Sequence, residues 1–376
     1  MKKKKVLFFL WSFSLGGGAE KVLSTIVNNL DMEKYDIDIL EIEHFDKGYE
    51  QINSNVNILK SWQDYRQNKI IRAILWRIRK YFPSLVRKIL VRKFYDIEVS
   101  FTVMNPAFPF SNNKNVEKIS WIHGSIEDFS KDLVKKNNHK IQLQKADKII
   151  AVSKKTKDSI ISIYPEYKNK VSIVYNGYDF ENIIEKSKEN LDINIKENSI
   201  CIVGRIERQK GSMEVYQVAK KIIKNLKKDY NFYFLGSGEL ENELKERIFK
   251  DKLTDNIHIL GYQKNPYKYI KNMSVMFSMS KQEGFSGAIV EGMILGVPFV
   301  STDVGGVKEL SCNEKFGKIV YNTYDAAEKI INYIEKKDSV NKEEMKKYIS
   351  KFTIEEQIKT VNKLFDFRRW WFENRF

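Results

Sequence analysis

Two glutamates, Glu283 and Glu291, stand eight positions apart in the string SKQEGFSGAIVEGMILGVPFVSTD, with Gly284, Phe285 and Gly287 between them. The apolar run 274–279 enters this string as a strand, the run 298–301 leaves it as another, and a short helix beginning near Ser286 joins them. A helix N-terminus presents unpaired N–H groups and a partial positive charge, so it favours an anion. Gly284 and Gly287 let a phosphate approach that backbone closely. With a rise of about 1.5 Å per residue, Glu291 stands roughly 7 Å along the axis from such a phosphate, about one ribose away. A carboxylate there accepts hydrogen bonds from two vicinal hydroxyls. Glu283, in the loop before the helix, meets whatever lies on the phosphate's other side. A nucleoside diphosphate carrying a sugar fits these positions; a solvated helix with a capping carboxylate fits the bare pair as well.

Other candidates lie at predicted strand ends. Residues 199–203 form a strand ending in Gly204-Arg205, and Gln209-Lys210-Gly211 precedes a helix. Two cations at the mouth of a sheet suit the charge on a leaving diphosphate, or are surface cations beside a turn. The strand 231–235 runs into Gly236-Ser237-Gly238, which lacks the third glycine of a dinucleotide fingerprint. Near the start, residues 6–11 read as a buried parallel strand, and Gly16-Gly17-Gly18 leads into a helix over 19–30. Such a turn admits a ligand or is simply tight. His123 closes the strand 118–123, at the end where open α/β sheets bind ligands, although a lone histidine also serves structure. Asp36 and Asp38 read as a solvated strand end.

These elements belong to a chain of 376 residues with 42% hydrophobic and 13% aromatic content, enough for two domains with full cores. Strands and helices alternate twice, which predicts an α/β architecture of two doubly wound domains facing across a cleft. Two cysteines, Cys201 and Cys312, build no disulfide framework and fit a reducing cytoplasm. Four scattered histidines show no ligand spacing, so no metal site is expected. The N-terminus resembles a signal peptide in its lysines and apolar run, but it lacks a small-residue cleavage site and reads as a first strand. The net charge of +16 calls for an anionic partner. The lysines are diffuse and no finger or basic-zipper pattern appears, which disfavours nucleic acid.

Residues 66–93 concentrate that charge, with ten Arg or Lys, no acidic residue, and Ile, Leu, Val, Trp and Phe interleaved. Pro83 divides the segment into two short helices. An apolar face ringed by cations lies in the headgroup layer of an anionic membrane; the alternative is a core-facing helix with a solvated basic rim.

The string 280–303 resembles the E-x7-E signature of the retaining glycosyltransferases of family four, which have the GT-B fold of two Rossmann-like domains. The resemblance spans essentially the whole chain. It is specific over residues 199–310, where Gly204-Arg205 through Lys210-Gly211 is similar to the family's G-R-x-x-x-x-K-G string. It is thinner over residues 1–180, where Gly17, Gly18 and Glu20 are similar to a G-G-x-E loop and Asn176-Gly177-Tyr178-Asp179 to an N-G-x-D turn. The resemblance implies an acceptor-binding domain over 1–180, a linker over 181–197 and a nucleotide-sugar-binding domain over 198–350. A C-terminal helix, 351–376, crosses back to the first domain; the tail FDFRRWWFENRF is alternatively a second membrane anchor. It implies transfer of a hexose or N-acetylhexosamine from a nucleoside diphosphate sugar, commonly UDP-linked, with retention and without a metal. Glu283, His123, Arg205 and Lys210 are the implied catalytic residues. Gly17, Gly18, Arg205, Lys210, Gly236, Gly284, Phe285, Ser286, Gly287, Ala288 and Glu291 are the implied donor-binding residues. With the basic segment, it points to a polyprenyl-diphosphate-linked oligosaccharide acceptor in surface-polysaccharide assembly, and to a cytoplasmic enzyme peripheral on the inner face of the cell membrane. Two other readings stay open: a GT-B-like sugar-nucleotide epimerase, and a non-catalytic basic protein that docks on membrane or nucleic acid.

Overall fold

The computed structural model describes residues 2–47, 51–127, 133–226 and 229–373. They fall into two compact units, Met1–Gly177 with Ile354–Phe376, and Tyr178–Thr353. In the first, β1 (Lys4–Leu10) sets the layering: Val6 to Leu10 are all apolar and wholly buried. A strand buried on both faces must sit inside a parallel sheet covered by helices. The chain continues through α1 (Gly18–Asn29), β2 (Tyr35–Glu41), β3 (Glu43–His44), β4 (Asn57–Ile58), β5 (Gln63–Asp64), α2 (Lys69–Tyr81) and α3 (Pro83–Leu90). It then forms β6 (Ile97–Ser100), β7 (Glu117–Ile122), α4 (Leu133–Lys145), β8 (Lys148–Ala151), α5 (Lys154–Ile163) and β9 (Val171–Ile173). Seven strands pair in parallel in the order β4-β2-β1-β6-β7-β8-β9, and β3 pairs with β5 apart from them.

The second unit repeats the plan. It contains α6 (Phe180–Lys186), β10 (Ser199–Val203), α7 (Ser212–Asn225), β11 (Asn231–Leu235), α8 (Glu241–Lys250), β12 (Ile257–Gly261), α9 (Tyr267–Ile270) and β13 (Val275–Ser278). After these come α10 (Gly287–Ile294), β14 (Phe299–Thr302), α11 (Val307–Ser311), β15 (Gly317–Val320), α12 (Thr323–Ile334) and α13 (Lys342–Ile349). Its six parallel strands run β12-β11-β10-β13-β14-β15 over a core that includes Ile200, Phe232, Phe234, Val275 and Phe277. The last helix, α14 (Ile354–Glu373), returns to the first unit, where Phe365 is buried against the rings of Phe8 and Tyr35. The side chains of the aromatic tail from residue 367 onward lie outside the described residues.

Three local features follow, of which the burial of Asp38 corrects an expectation. The stretch 181–197, expected as a linker, begins with α6: Asp179 caps it by accepting from the Asn182 N–H at 2.9 Å, and Ile183 is its buried contact. One buried residue in a short helix leaves no periodicity to read. Asp38 is not solvated; it is wholly buried and receives the Tyr95 hydroxyl at 2.5 Å and the Lys93 ammonium at 3.0 Å, partners more than fifty residues away in sequence. Finally, α2 sets Ile78 against the core but turns most of its isoleucines outward. Ile70, Ile71 and Ile74 are exposed, Arg79 is its buried residue, and side chains of Trp62 and Gln63 bond the Leu75 and Arg72 carbonyls beneath it.

Candidate functional site

In the second unit the strand order reverses between β10 and β13, so the loops at their carboxyl ends part and leave a crevice. The loop after β10 carries Gly204 to Gly211, and the loop after β13 carries Met279 to Ser286. They are tied together by the Lys281 N–H donating to the Gln209 carbonyl at 2.9 Å. Gly211 stands at φ +68°, and a Cβ there would lie 2.0 Å from the Met279 carbonyl oxygen, so this junction requires glycine. Gly236 has a similar reason for its identity, since its Cβ would meet the Gly204 carbonyl oxygen at 2.0 Å.

Lys210 is brought onto Glu283. Its Nζ lies 2.7 Å from Glu283 Oε1, and the Ser280 hydroxyl donates to the same oxygen at 2.9 Å. Ser280 is itself buried, and its carbonyl accepts the Thr302 hydroxyl at 2.6 Å. Next comes α10, capped by Ser286, whose side chain makes no capping bond, so the first N–H groups of this helix have no intrahelical or side-chain partner there. Lys210, Glu283, Ser286, Gly287 and Ala288 line one pocket with Val203 and the end of β13. A turn further along, Glu291 accepts the Tyr267 hydroxyl at 3.3 Å. Burial first, and then the Glu291 charge, push that phenol upward, so it stays a proton donor.

The remaining donor-site candidates are structural neighbours of this pocket. Phe285 is buried edge-on against Phe352, and Gly306 leaves room for its ring, since a Cβ at 306 would reach within 2.3 Å. Gly305, at φ +53°, lets Glu283 and Gly284 pass, their carbonyl oxygens only 2.7 and 2.6 Å from where its Cβ would stand. Arg205 is not among the pocket's lining residues; its side chain is 71% exposed and lies 3.0 Å from Glu207 without hydrogen-bond geometry.

In the first unit, Gly17, Gly18 and His123 lie at the carboxyl edge of their own sheet. Gly17 precedes α1 in extended conformation, and the Glu20 carboxylate folds over it, 2.6 Å from an added Cβ. The loop between β1 and these glycines is held by Glu41, a buried carboxylate that accepts the N–H groups of Phe13 and Ser14, the Ser14 hydroxyl and His44 Nδ1 at 2.7–3.0 Å. Burial pushes Glu41 up, but those bonds prevail and its net shift is downward. His123 follows β7, with its ring 4.7 Å from that of Phe101. Its Nε2 is buried without a partner, while the ring bonds the Phe101 backbone through its other nitrogen. Burial pushes the imidazole down to about 4, so it is neutral at physiological pH.

Sequence reasoning did not find Ser280, Tyr267 or Glu41. Ser280 stands three residues before Glu283, a spacing without a signature, and Tyr267 and Glu41 meet partners 24 and up to 28 positions away. Among the described residues no group of three or more His, Cys, Asp or Glu converges, and no helix is long and apolar enough to cross a membrane.

Comparison with known proteins divides the chain as the two units do. Residues 16–182 match the model described as Glycosyltransferase Family 4, and residues 183–353 match Glycosyl transferases group 1. An uncharacterised glycosyltransferase of Methanocaldococcus jannaschii is 32% identical over 64% of this chain, which spans 61% of that protein's length. The N-acetylgalactosamine-N,N'-diacetylbacillosaminyl-diphospho-undecaprenol 4-alpha-N-acetylgalactosaminyltransferase of Campylobacter jejuni is 28% identical over 83% of this chain and 85% of its own. Among solved structures, Anabaena HepE in complex with UDP superposes with a TM-score of 0.71 at 14% identity, over 96% of this chain and 99% of that one, a likeness of fold.

Proposed function

The chain is a glycosyltransferase of GT-B fold, and from that premise we propose that it moves a hexose or N-acetylhexosamine from a UDP-sugar to a lipid-linked glycan, with retention of configuration. The observation that carries the donor half is the meeting of Lys210, Glu283 and the open N-terminus of α10 in one pocket, with Glu291 a turn beyond. A diphosphate at the helix tip receives its N–H groups and the Lys210 charge, the ribose hydroxyls meet Glu291, and the hexose lies towards Glu283. As the glycosidic bond breaks, charge develops on the leaving diphosphate. Lys210 and the helix dipole stabilise it, and Arg205 swings in from solvent; no metal is required in this scheme. The leaving phosphate accepts the acceptor's proton on the face from which it departs. Neutral His123, with its unshared Nε2, positions the sugar, and Gly17 and Gly18 line the approach to the diphosphate.

On this reading the second unit binds the donor and the first the acceptor. The Campylobacter relative, by its name, acts on a diphospho-undecaprenol substrate, which supports a polyprenyl-diphosphate acceptor here and a place in capsule, O-antigen or exopolysaccharide synthesis. The outward apolar face of α2 and α3, with Ile70, Ile74, Phe82 and Leu85 exposed among lysines and arginines, supports docking on the inner face of the cell membrane, and hence a cytoplasmic peripheral enzyme. The test is thermal stabilisation by a panel of nucleotides and nucleotide sugars, with and without EDTA. A ligand at 100 times its dissociation constant adds about 2.7 kcal/mol. A UDP shift that survives EDTA is expected; no shift with any nucleotide overturns the donor site, and a shift abolished by EDTA overturns metal independence.

A further inference from the structure

A groove in the first unit takes no part in the chemistry described above. Its walls are the ends of α2 and α3 on one side and the last turns of α4 on the other, and the loop 105–110 forms its floor. Trp76, Phe108 and Ile141 give it apolar surface, Lys80 and Lys145 stand at it, and no acidic residue lines it among the described residues. Lys80 is held over the Trp76 ring, its Nζ 5.2 Å from the centroid. Asn138 steadies the floor by donating to the Asn105 side chain at 3.0 Å.

Arg79 comes from the same turn of α2 as Trp76 and Lys80, and it reaches the floor by donating from Nη2 to the Asn105 carbonyl at 3.2 Å. It is 2% exposed, yet its Nε and Nη1 have no partner. Burial lowers its pKa to about 10, so it remains a cation at neutral pH. The Glu43 charge offsets part of the cost of that buried guanidinium, and Arg79 serves the groove from beneath by holding the Asn105 floor. Apolar walls with two lysines, and no acid among the described lining residues, fit an amphiphile with an anionic head. The groove also adjoins the helices whose apolar residues face outward, the surface a lipid-borne molecule would arrive from.

We propose that this groove binds the diphosphate and first isoprene units of a polyprenyl-diphosphate lipid, the chain against Trp76, Phe108 and Ile141 and the head between Lys80 and Lys145. This rests on the lipid-linked acceptor reading, and it assigns that acceptor's carrier end a place of its own.

The experiment is calorimetric titration of the full chain with farnesyl diphosphate, inorganic pyrophosphate and UDP, for the native protein and for the surface variants Ile141→Asp and Lys145→Glu. Farnesyl diphosphate should bind at least tenfold tighter than pyrophosphate, and each variant should weaken it tenfold or more while leaving UDP affinity and melting temperature unchanged. Farnesyl diphosphate affinity that is absent, or indifferent to both substitutions, overturns the groove. Equal affinity for pyrophosphate, lost in Lys145→Glu, overturns the lipid in favour of a free-anion site. Transfer assays separate this proposal from the reading it rests on. Transfer to a polyprenyl-diphosphate glycan with an acceptor KM unmoved by Ile141→Asp leaves the acceptor reading standing and removes the groove. Farnesyl diphosphate binding that obeys the variants, in a protein that glycosylates no lipid-linked acceptor, does the reverse.

Discussion

Ser280 is the residue by which the position of Glu283 is best tested. It is buried, fixed through its carbonyl to Thr302, and its hydroxyl shares Glu283 Oε1 with Lys210. A hydrogen bond to a charged group contributes about 1.5–3 kcal/mol. Ser280→Ala should therefore lower kcat about tenfold or more with nucleotide affinity unchanged, and Ser280→Thr should restore part of the rate; a variant that loses UDP binding instead would move Ser280 into the donor pocket. His123 supports a pH prediction. Its folded value of about 4 lies below 6.5 for the unfolded chain, so between the two the unfolded chain binds the extra proton. The residue's contribution to stability is whole above about pH 6.5 and is lost as pH falls through 4. His123→Gln should flatten that acid limb in denaturant melts at stepped pH; an unaltered slope would mean that the imidazole titrates normally. Glu283 and Lys210 were legible because each sits in a recognisable string. Ser280 and Tyr267 were not, because a hydroxyl three residues away or a phenol on another helix acquires its role only from the fold.

At the level of elements, the two loops at the carboxyl edge of the second sheet behave as one piece. Gly211 joins them at φ +68°, where a side chain costs about 1–2 kcal/mol in backbone strain alone. Its Cβ would also strike the Met279 carbonyl. Gly211→Ala should destabilise the protein by about 2 kcal/mol or more and weaken UDP binding, as read by thermal melts with and without nucleotide; native-like melts would show the junction to be loose. The helix α2 poses the opposite case, an element that buries an arginine and exposes isoleucines. Surface substitutions cost within about 0.5 kcal/mol, so the pair Ile70→Asp and Ile74→Asp should leave the melt unchanged. It should also abolish sedimentation with phosphatidylglycerol vesicles, which for the native chain should weaken with salt. Retained vesicle binding would remove α2 from the membrane reading. The alternation of cations and apolar residues was visible in the sequence, but which of them point outward was not, because Trp62, Gln63 and the Asn105 loop decide the helix's rotation.

At the scale of the whole molecule, the chain's last helix belongs to the unit that the chain's first strand begins. Lys4 bonds the Phe365 carbonyl at 2.8 Å, and the Phe365 ring is buried on Phe8 and Tyr35. Removing such a ring costs about 3–5 kcal/mol. Phe365→Ala should accordingly lower the melting of the first unit while UDP stabilisation persists; an unchanged melt would show α14 to be dispensable. Two doubly wound units could be read from the sequence alone, because strands and helices alternate twice, and strands such as β1 and β10 are written as apolar runs, β10 and β11 leading directly into glycine turns. The candidate donor residues were legible for a related reason: helix N-terminus, carboxylate and cations fall within short strings around strand ends. Tertiary structure alone decided the rest. It buried Asp38 beneath Tyr95, made Glu41 the clasp of the first loop, paired Lys210 with Glu283, left Arg205 in solvent and set Arg79 unpaired beneath a groove. Apart from Arg205, whose neighbour Glu207 is two positions away, each of those outcomes depends on partners about two dozen or more positions apart in the chain, and periodicity carries no information at that distance.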